Sequence, residues 1–267
     1  MIDSVSILGT KITRASEAAI EGEILKMLGR RGGAKIFTPN PQMLAIAERD
    51  ENFKRILGSA SLLLPDGVGV LLAARLSGER LPQRITGIDT AYRILELSAQ
   101  RSLKVAFIGG KKGVAAQAAE RLKKDIPMLD TVLTHHGYFN KSRASSDNQA
   151  LLEKLRKSAP DVLFVCFGTP AQEKWIHENS SSLPSVRIFM GLGGALDVWS
   201  GKIRRAPRAV QLANAEWLWR CIGEPRRFLR LASLPSLYSK IIWASIKKRK
   251  SLVQIFTNAD SKYLYLI

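Results

Sequence analysis

The chain has 267 residues, 46% of them hydrophobic and 24% charged, with a formal net charge of +18. That length and apolar fraction suit one sizeable α/β domain with an appendage and exclude a disordered chain. The two cysteines, Cys166 and Cys221, stand far apart in apolar surroundings, which excludes a disulfide framework and fits a reducing cytoplasm.

The opening "MIDSVSILGTKI" has no basic leader and no small-residue cleavage site, which argues against a signal peptide. Ile36 and Phe37, in "AKIFT", end the first predicted buried strand, and Met43, Leu44, Ile46 and Ala47 form the apolar face of the helix that follows. Between them lies Thr38-Pro39-Asn40-Pro41. Each proline pushes the residue before it out of the helical region, so Thr38 and Asn40 are fixed as extended, polar side chains at a strand mouth. Asn40 before Pro41 also reads as a helix cap with proline in the first helical position, and the two roles are compatible. "ASLLLP" is a second strand, and Asp66 emerges at its tip between Pro65 and Gly67. Asp-Gly can be only a turn. A carboxylate partly shielded from water can instead have its pKa raised enough to take a proton from an attacking hydroxyl. Arg84, in "PQRITGIDTAYRIL" beside Thr86, Gly87 and Asp89, is a candidate cation for a phosphate.

"KVAFIGGKKGVAAQAAERL" then gives strand, glycine turn and helix, an arrangement suited to anions at Gly109 and Gly110. It is neither G-x-G-x-x-G nor G-x-x-x-x-G-K-[ST], so it specifies no particular nucleotide. "DTVLTHHG" is another strand, "SRASSDNQ" an exposed connection, and "QALLEKLRKSA" a helix. After "DVLFVCFG" come Thr169, Pro170 and Gln172, whose amide could hydrogen-bond a sugar hydroxyl, while Glu173 and Lys174 also suit a solvated helix face. "VRIFMGLGG" is the last strand, with Asp197 nearby, and close helix–sheet packing would equally explain its glycines. Strand, turn and helix in alternation predict a Rossmann-like, mainly parallel sheet with helices on both faces over residues 1–200, with ligands at the carboxyl ends of its strands.

The chain has no Asp-x-Asp, His135 and His136 are adjacent, and His177 is alone, so no metal and no cofactor is expected. A phosphate leaving group would then be neutralised by Arg, Lys and helix N-termini. The apolar runs fall short of the roughly 18 to 20 residues of a spanning helix. Composition shifts near "SGKIRRAPRAV": residues 201–267, a basic helical appendage, hold 14 Lys and Arg against three acidic residues. Trp217, Trp219, Phe228, Leu231, Leu234, Leu237, Ile241, Ile242 and Ile246 recur among the cations at helical spacing, interrupted by Pro225 and Pro235. Two or three short amphipathic helices follow, suited to an anionic membrane surface at about 1 kcal/mol per cation. An ordinary helical layer on the sheet is the plainer alternative, and no motif for nucleic acid is present.

Taken in order, "FTPNPQML", "LLLPDGVGV", "RITGIDTAYRI", "FIGGKKGVAAQAAERL", "FGTPAQEKWI", "GLGGALDVWSGKIRRAP" and "EWLWRCIGEPRRFLRL" resemble the bacterial WecG/TagA/CpsF glycosyltransferase family over about residues 5–231. The resemblance implies an inverting, metal-independent transfer of N-acetylmannosamine, its uronic acid or another hexose. The donor would be a UDP-sugar and the acceptor a sugar on undecaprenyl diphosphate, in surface polysaccharide assembly. It places the protein in the cytoplasm, peripheral on the inner face of the membrane. It implies Asp66 as catalytic base, Thr38 and Asn40 in the pocket, Arg84 and Gln172 at pocket positions, and Arg220, Arg227 or Arg230 on the diphosphate. The tail beyond about residue 232, and Asn214-Ala215 in place of Gly-Leu, depart from the pattern. A homo-oligomer is left open. The alternative from another class is a non-catalytic α/β module binding anionic lipid or nucleic acid, and the missing fingerprint disfavours a dinucleotide-dependent oxidoreductase.

Overall fold

In the computed structural model, which describes residues 2–223 and 231–247, a hairpin of β1 (Asp3–Ile7) and β2 (Thr10–Arg14) precedes a six-stranded parallel sheet. The sheet strands are β3 (Ala34–Phe37), β4 (Leu62–Leu63), β5 (Lys104–Gly109), β6 (Asp130–His135), β7 (Val162–Cys166) and β8 (Ile188–Gly191). Their spatial order is β4-β3-β8-β7-β5-β6. All six coincide with apolar runs legible in the sequence; the inner strands, covered on both faces, need no polar alternation, while edge strand β6 is partly exposed.

The two-residue period shows which helices cover which face. Ala106, Ile108, Leu163, Val165 and Phe189 point into one core, and Val105, Phe107, Val162, Phe164, Ile188 and Met190 into the other. The first core is closed by α2 (Pro41–Arg49), α3 (Glu51–Gly58), α4 (Val68–Leu76), α7 (Ser146–Ser158) and α8 (Ala171–Asn179). The second is closed by α1 (Glu17–Leu28), α5 (Gly87–Gln100), α6 (Val114–Asp125) and α9 (Ala195–Trp199).

The hairpin is an addition to the sequence reading. Val5, Ile7 and Ile12 join the first core, and Leu8 and Gly9 turn the chain at φ 47° and 83°. Thr13 Oγ1 accepts a hydrogen bond from Leu63 N at 2.9 Å, so the hairpin covers the β4 edge of the sheet. The "SRASSDNQ" stretch also differs from expectation, since its second half starts α7 and Asn148 is fully buried. Asn148 Oδ1 accepts from Trp175 Nε1 at 2.7 Å, and Asn148 Nδ2 donates to Asn179 Oδ1 at 3.2 Å, which satisfies three buried polar side chains at once.

After α9 the chain forms α10 (Arg208–Leu212) and α11 (Glu216–Gly223), and a further helix runs over 234–247. Pro225 lies outside the described residues. Pro235 starts a helix rather than breaking one, because the first turn has no use for its missing N–H. Leu237 and Ile241 of the 234–247 helix enter the first core beside Val70 and Ala74 of α4. Tyr238 donates its hydroxyl to Gly69 O at 3.2 Å, and Lys240 pairs with Glu48 at 2.6 Å. These residues therefore pack as a layer on the α/β unit.

Candidate active site

The carboxyl ends of β3 and β4 are sewn together by main-chain bonds. Leu64 N donates to Phe37 O at 2.9 Å, Asp66 N to Pro39 O at 3.0 Å, and Ile85 N to Pro65 O at 3.0 Å. Thr38, Asn40, Asp66 and Arg84, which come from three separate connections, consequently face one cavity of about 650 Å³. Leu192 and Ala195, after β8, line its floor. Glu216, Trp217 and Cys221 of α11, with Leu234 and Tyr238 of the 234–247 helix, complete the wall.

Three helices start at this cavity. The cap residues of α2, α4 and α5 are Asn40, Gly67 and Thr86, and all three line it. Two glycines allow the approach: a Cβ on Gly87 would lie 2.8 Å from Thr38 Cγ2, and one on Gly69 would lie 2.3 Å from Pro41 Cγ. The positive ends of three helix dipoles thus meet at the same space, which suits an anion. Asn40 performs the capping the sequence suggested, accepting from Met43 N at 3.0 Å through Oδ1, so the group it can turn to a ligand is its NH₂. Asp66 is half-buried at the cavity rim.

Arg84 is held by Glu216, a residue that the sequence reading passed over. Its only signal was to be the one acidic residue between Gly201 and Gly223 in a stretch rich in Lys and Arg. Arg205 lies behind it, bonded to both Glu216 and Asp89.

The other predicted positions lie elsewhere on the same edge. Gly109 and Gly110 end β5, and Asp197 sits half-buried on α9; none of the three lines the cavity. Gln172, expected to offer its amide to a sugar, is buried and turned into the fold. Its Oε1 accepts from Gly168 N at 3.2 Å and Gly193 N at 2.8 Å, and its Nε2 donates to Glu173 Oε1 at 2.7 Å. It ties the β7 and β8 loops together beneath the cavity floor. Glu173 is fully buried rather than on a solvated face, and burial pushes its carboxyl pKa up. Arg220 lies on α11, and Arg227 and Arg230 lie outside the described residues. Among the described residues no three His, Cys, Asp or Glu side chains gather into a group able to hold a metal.

A doubly wound sheet with an anion-suited cavity at its carboxyl edge defines the broad class, a ligand-binding α/β protein. A sequence profile of the Glycosyl transferase WecG/TagA/CpsF family matches residues 5–251, and the chain belongs to that family. The match extends through the 234–247 helix, so the departure expected beyond about residue 232 is corrected: this helix is part of the family pattern. Among similar proteins is N-acetylglucosaminyldiphosphoundecaprenol N-acetyl-beta-D-mannosaminyltransferase of Bacillus spizizenii, 34% identical over 215 residues, 80% of this chain and 81% of that one. Its namesake in Bacillus subtilis is 32% identical over 219 residues, 82% of each chain. That of Staphylococcus aureus strain MW2 is 28% identical over 249 residues, 92% of this chain and 95% of the other. The protein is a glycosyltransferase.

Proposed function

We propose that this glycosyltransferase moves an N-acetylmannosamine-type sugar from a UDP-sugar to N-acetylglucosamine carried on undecaprenyl diphosphate, in surface polysaccharide synthesis. The observation that carries the reading is the meeting of Asp66, Arg84 and three helix N-termini in one cavity. A carboxylate can deprotonate a hydroxyl, and the positive ends can take up the charge of a departing diphosphate.

The reaction is a single displacement. Asp66 accepts the proton of the acceptor hydroxyl, the oxygen bonds to the anomeric carbon, and the bond from that carbon to the diphosphate oxygen breaks. Attack opposite the leaving group inverts the anomeric centre. The electron pair leaves with UDP, whose charge Arg84 and the ends of α2, α4 and α5 stabilise without a metal. Thr38 and the Asn40 NH₂ hold the sugars in register, and their proline-fixed backbone supplies the geometry in advance. Gln172 acts from beneath, by fixing the loops that form the floor.

Residues 1–200 do the chemistry, and residues 201–267, whose described part lines the cavity, meet the anionic inner face of the membrane. No helix among the described residues is long and apolar enough to cross a membrane. Trp217, Ile222, Ile242, Trp243 and Ile246 are nevertheless exposed on α11 and the 234–247 helix, in the basic part of the chain. Large apolar side chains among cations suit lipid headgroups.

The direct test is incubation of the protein with UDP-N-acetylmannosamine and a soluble N-acetylglucosaminyl diphospholipid. UDP release that requires the acceptor is expected; release indifferent to it, or none across a panel of UDP-sugars, would refute the reading. The two faces of the 234–247 helix should separate cleanly by mutation. Leu237→Ala, at 2% exposure, is expected to cost about 2 to 4 kcal/mol in urea unfolding. Trp243→Ala, at 65% exposure, should leave stability unchanged and reduce co-sedimentation with phosphatidylglycerol vesicles. Undiminished vesicle binding would remove Trp243 from the membrane contact.

A further inference from the structure

Arg84 enters the cavity beside the start of α5, yet its counter-ion comes from the opposite wall. Glu216, the first residue of α11, places Oε2 3.2 Å from Arg84 Nη1, with the two side chains only 14% and 16% exposed. The other oxygen, Oε1, is 3.3 Å from Arg205 Nε. Arg205 in turn donates from Nη1 to Asp89 Oδ1 at 2.6 Å and from Nη2 to Asp89 Oδ2 at 2.8 Å. The Thr86 hydroxyl donates to Asp89 as well. Burial disfavours the Asp89 charge, but Arg205 and Thr86 outweigh it and hold that carboxyl below the usual carboxylate range.

The two arginines are held unequally. Arg205 has three contacts to two carboxylates, whereas among the described residues Arg84 has one, to a single oxygen. A shielded guanidinium facing an empty cavity needs an opposite charge near it. A carboxylate left on the wall of a cavity that receives a diphosphate is, however, a source of repulsion. An arrangement in which Glu216 serves Arg84 only while the cavity is empty satisfies both conditions.

We propose that Glu216 is the resident counter-ion of Arg84 and yields that place to a substrate diphosphate, with Arg205 retaining Glu216 after the exchange. The inference rests on the reading above that the cavity receives a diphosphate. Each charge keeps a partner throughout: Arg84 passes from carboxylate to phosphate, and Glu216 keeps the Arg205 contact it already has. The exchange lowers affinity for the diphosphate and so favours release of the product. It also links occupancy of the cavity to the seating of α11, since Glu216 heads the helix that carries Trp217 and Ile222.

Both the nucleotide donor and the lipid acceptor carry a diphosphate, so the experiment uses one probe for each: UDP and farnesyl diphosphate, titrated calorimetrically into the full chain. Glu216→Gln keeps the size of the side chain and removes its charge. It is expected to bind at least one probe about fivefold to tenfold more tightly than the wild type, as the loss of one nearby like charge would produce. The probe that gains identifies whose phosphate meets Arg84. Glu216→Asp, which keeps the charge, is expected to stay near wild-type affinity. A purely structural Glu216 would give the opposite sign, with both probes weakened in Glu216→Gln, and that result or unchanged affinity overturns the proposal. Binding of neither probe by the wild type would instead overturn the functional reading, and the inference with it. A structure of the wild type with UDP needs no variant: Arg84 on a phosphate oxygen and Glu216 on Arg205 alone is expected, and an intact Arg84–Glu216 pair beside a bound diphosphate contradicts the exchange.

Discussion

Asp66→Asn is expected to lower kcat by about 10² to 10⁴-fold, the usual contribution of a positioned general base. The variant should still fold. Asn has the shape of Asp, and main-chain features help to place residue 66: its N–H on Pro39 O, the Ile85 N–H on Pro65 O, and the Gly67 turn at φ 96°. What the variant loses is a group able to accept a proton at neutral pH. KM for the UDP-sugar should change little, since in the proposed mechanism the carboxylate acts on the acceptor hydroxyl rather than on the donor's phosphates. Steady-state UDP release together with a melting curve distinguishes the outcomes, and a folded Asn variant with wild-type turnover would exclude Asp66 as the base.

Gln172→Leu is expected to destabilise the fold by about 2 to 4 kcal/mol, measured by urea unfolding. Three hydrogen bonds converge on this amide, and Leu replaces none of them. Gly168 N and Gly193 N lose their shared acceptor, and Glu173 Oε1 loses one of its two donors and keeps only Thr169. Glu173 Oε2 is already buried without a partner, so the damage falls where the structure has least to spare. Activity should fall with it, because the two loops that Gln172 joins flank Leu192 and Ala195 of the cavity floor. A raised KM with unaltered stability would show the reverse, an amide that works on the substrate directly.

These two residues also show what a sequence discloses and what it withholds. Asp66 was legible because a lone polar residue at the tip of an apolar run has few uses, and its place relative to the strand is set locally. The places of Thr38 and Asn40 at the cavity were legible for the same reason, Thr38 following β3 and Asn40 capping α2, and that of Arg84 from its nearness to the start of α5. Gln172 stood out as unusual, but its partners are backbone N–H groups from two loops, which carry no side-chain signature. Arg205 and Asp89 are 116 residues apart, and no local pattern announces such a pair. The hairpin went unseen because its strands span five residues each and its Leu8-Gly9 turn lacks the usual Asn or Asp. In the tail, periodicity gave helices without their orientation. Leu237 and Ile241 face the core, while Ile242, Trp243 and Ile246 face outward, and the spacing alone allowed either face to be buried.

The three helix starts around the cavity have a consequence for how such enzymes diversify. Under the proposed function, part of the attraction for a diphosphate resides in peptide groups and would survive replacement of many side chains nearby. Selection among sugars would fall to a few side chains such as Thr38 and the Asn40 amide. A lineage that keeps the backbone and Arg84 would then exchange one hexose for another by small steps, without having to rebuild its grip on the diphosphate.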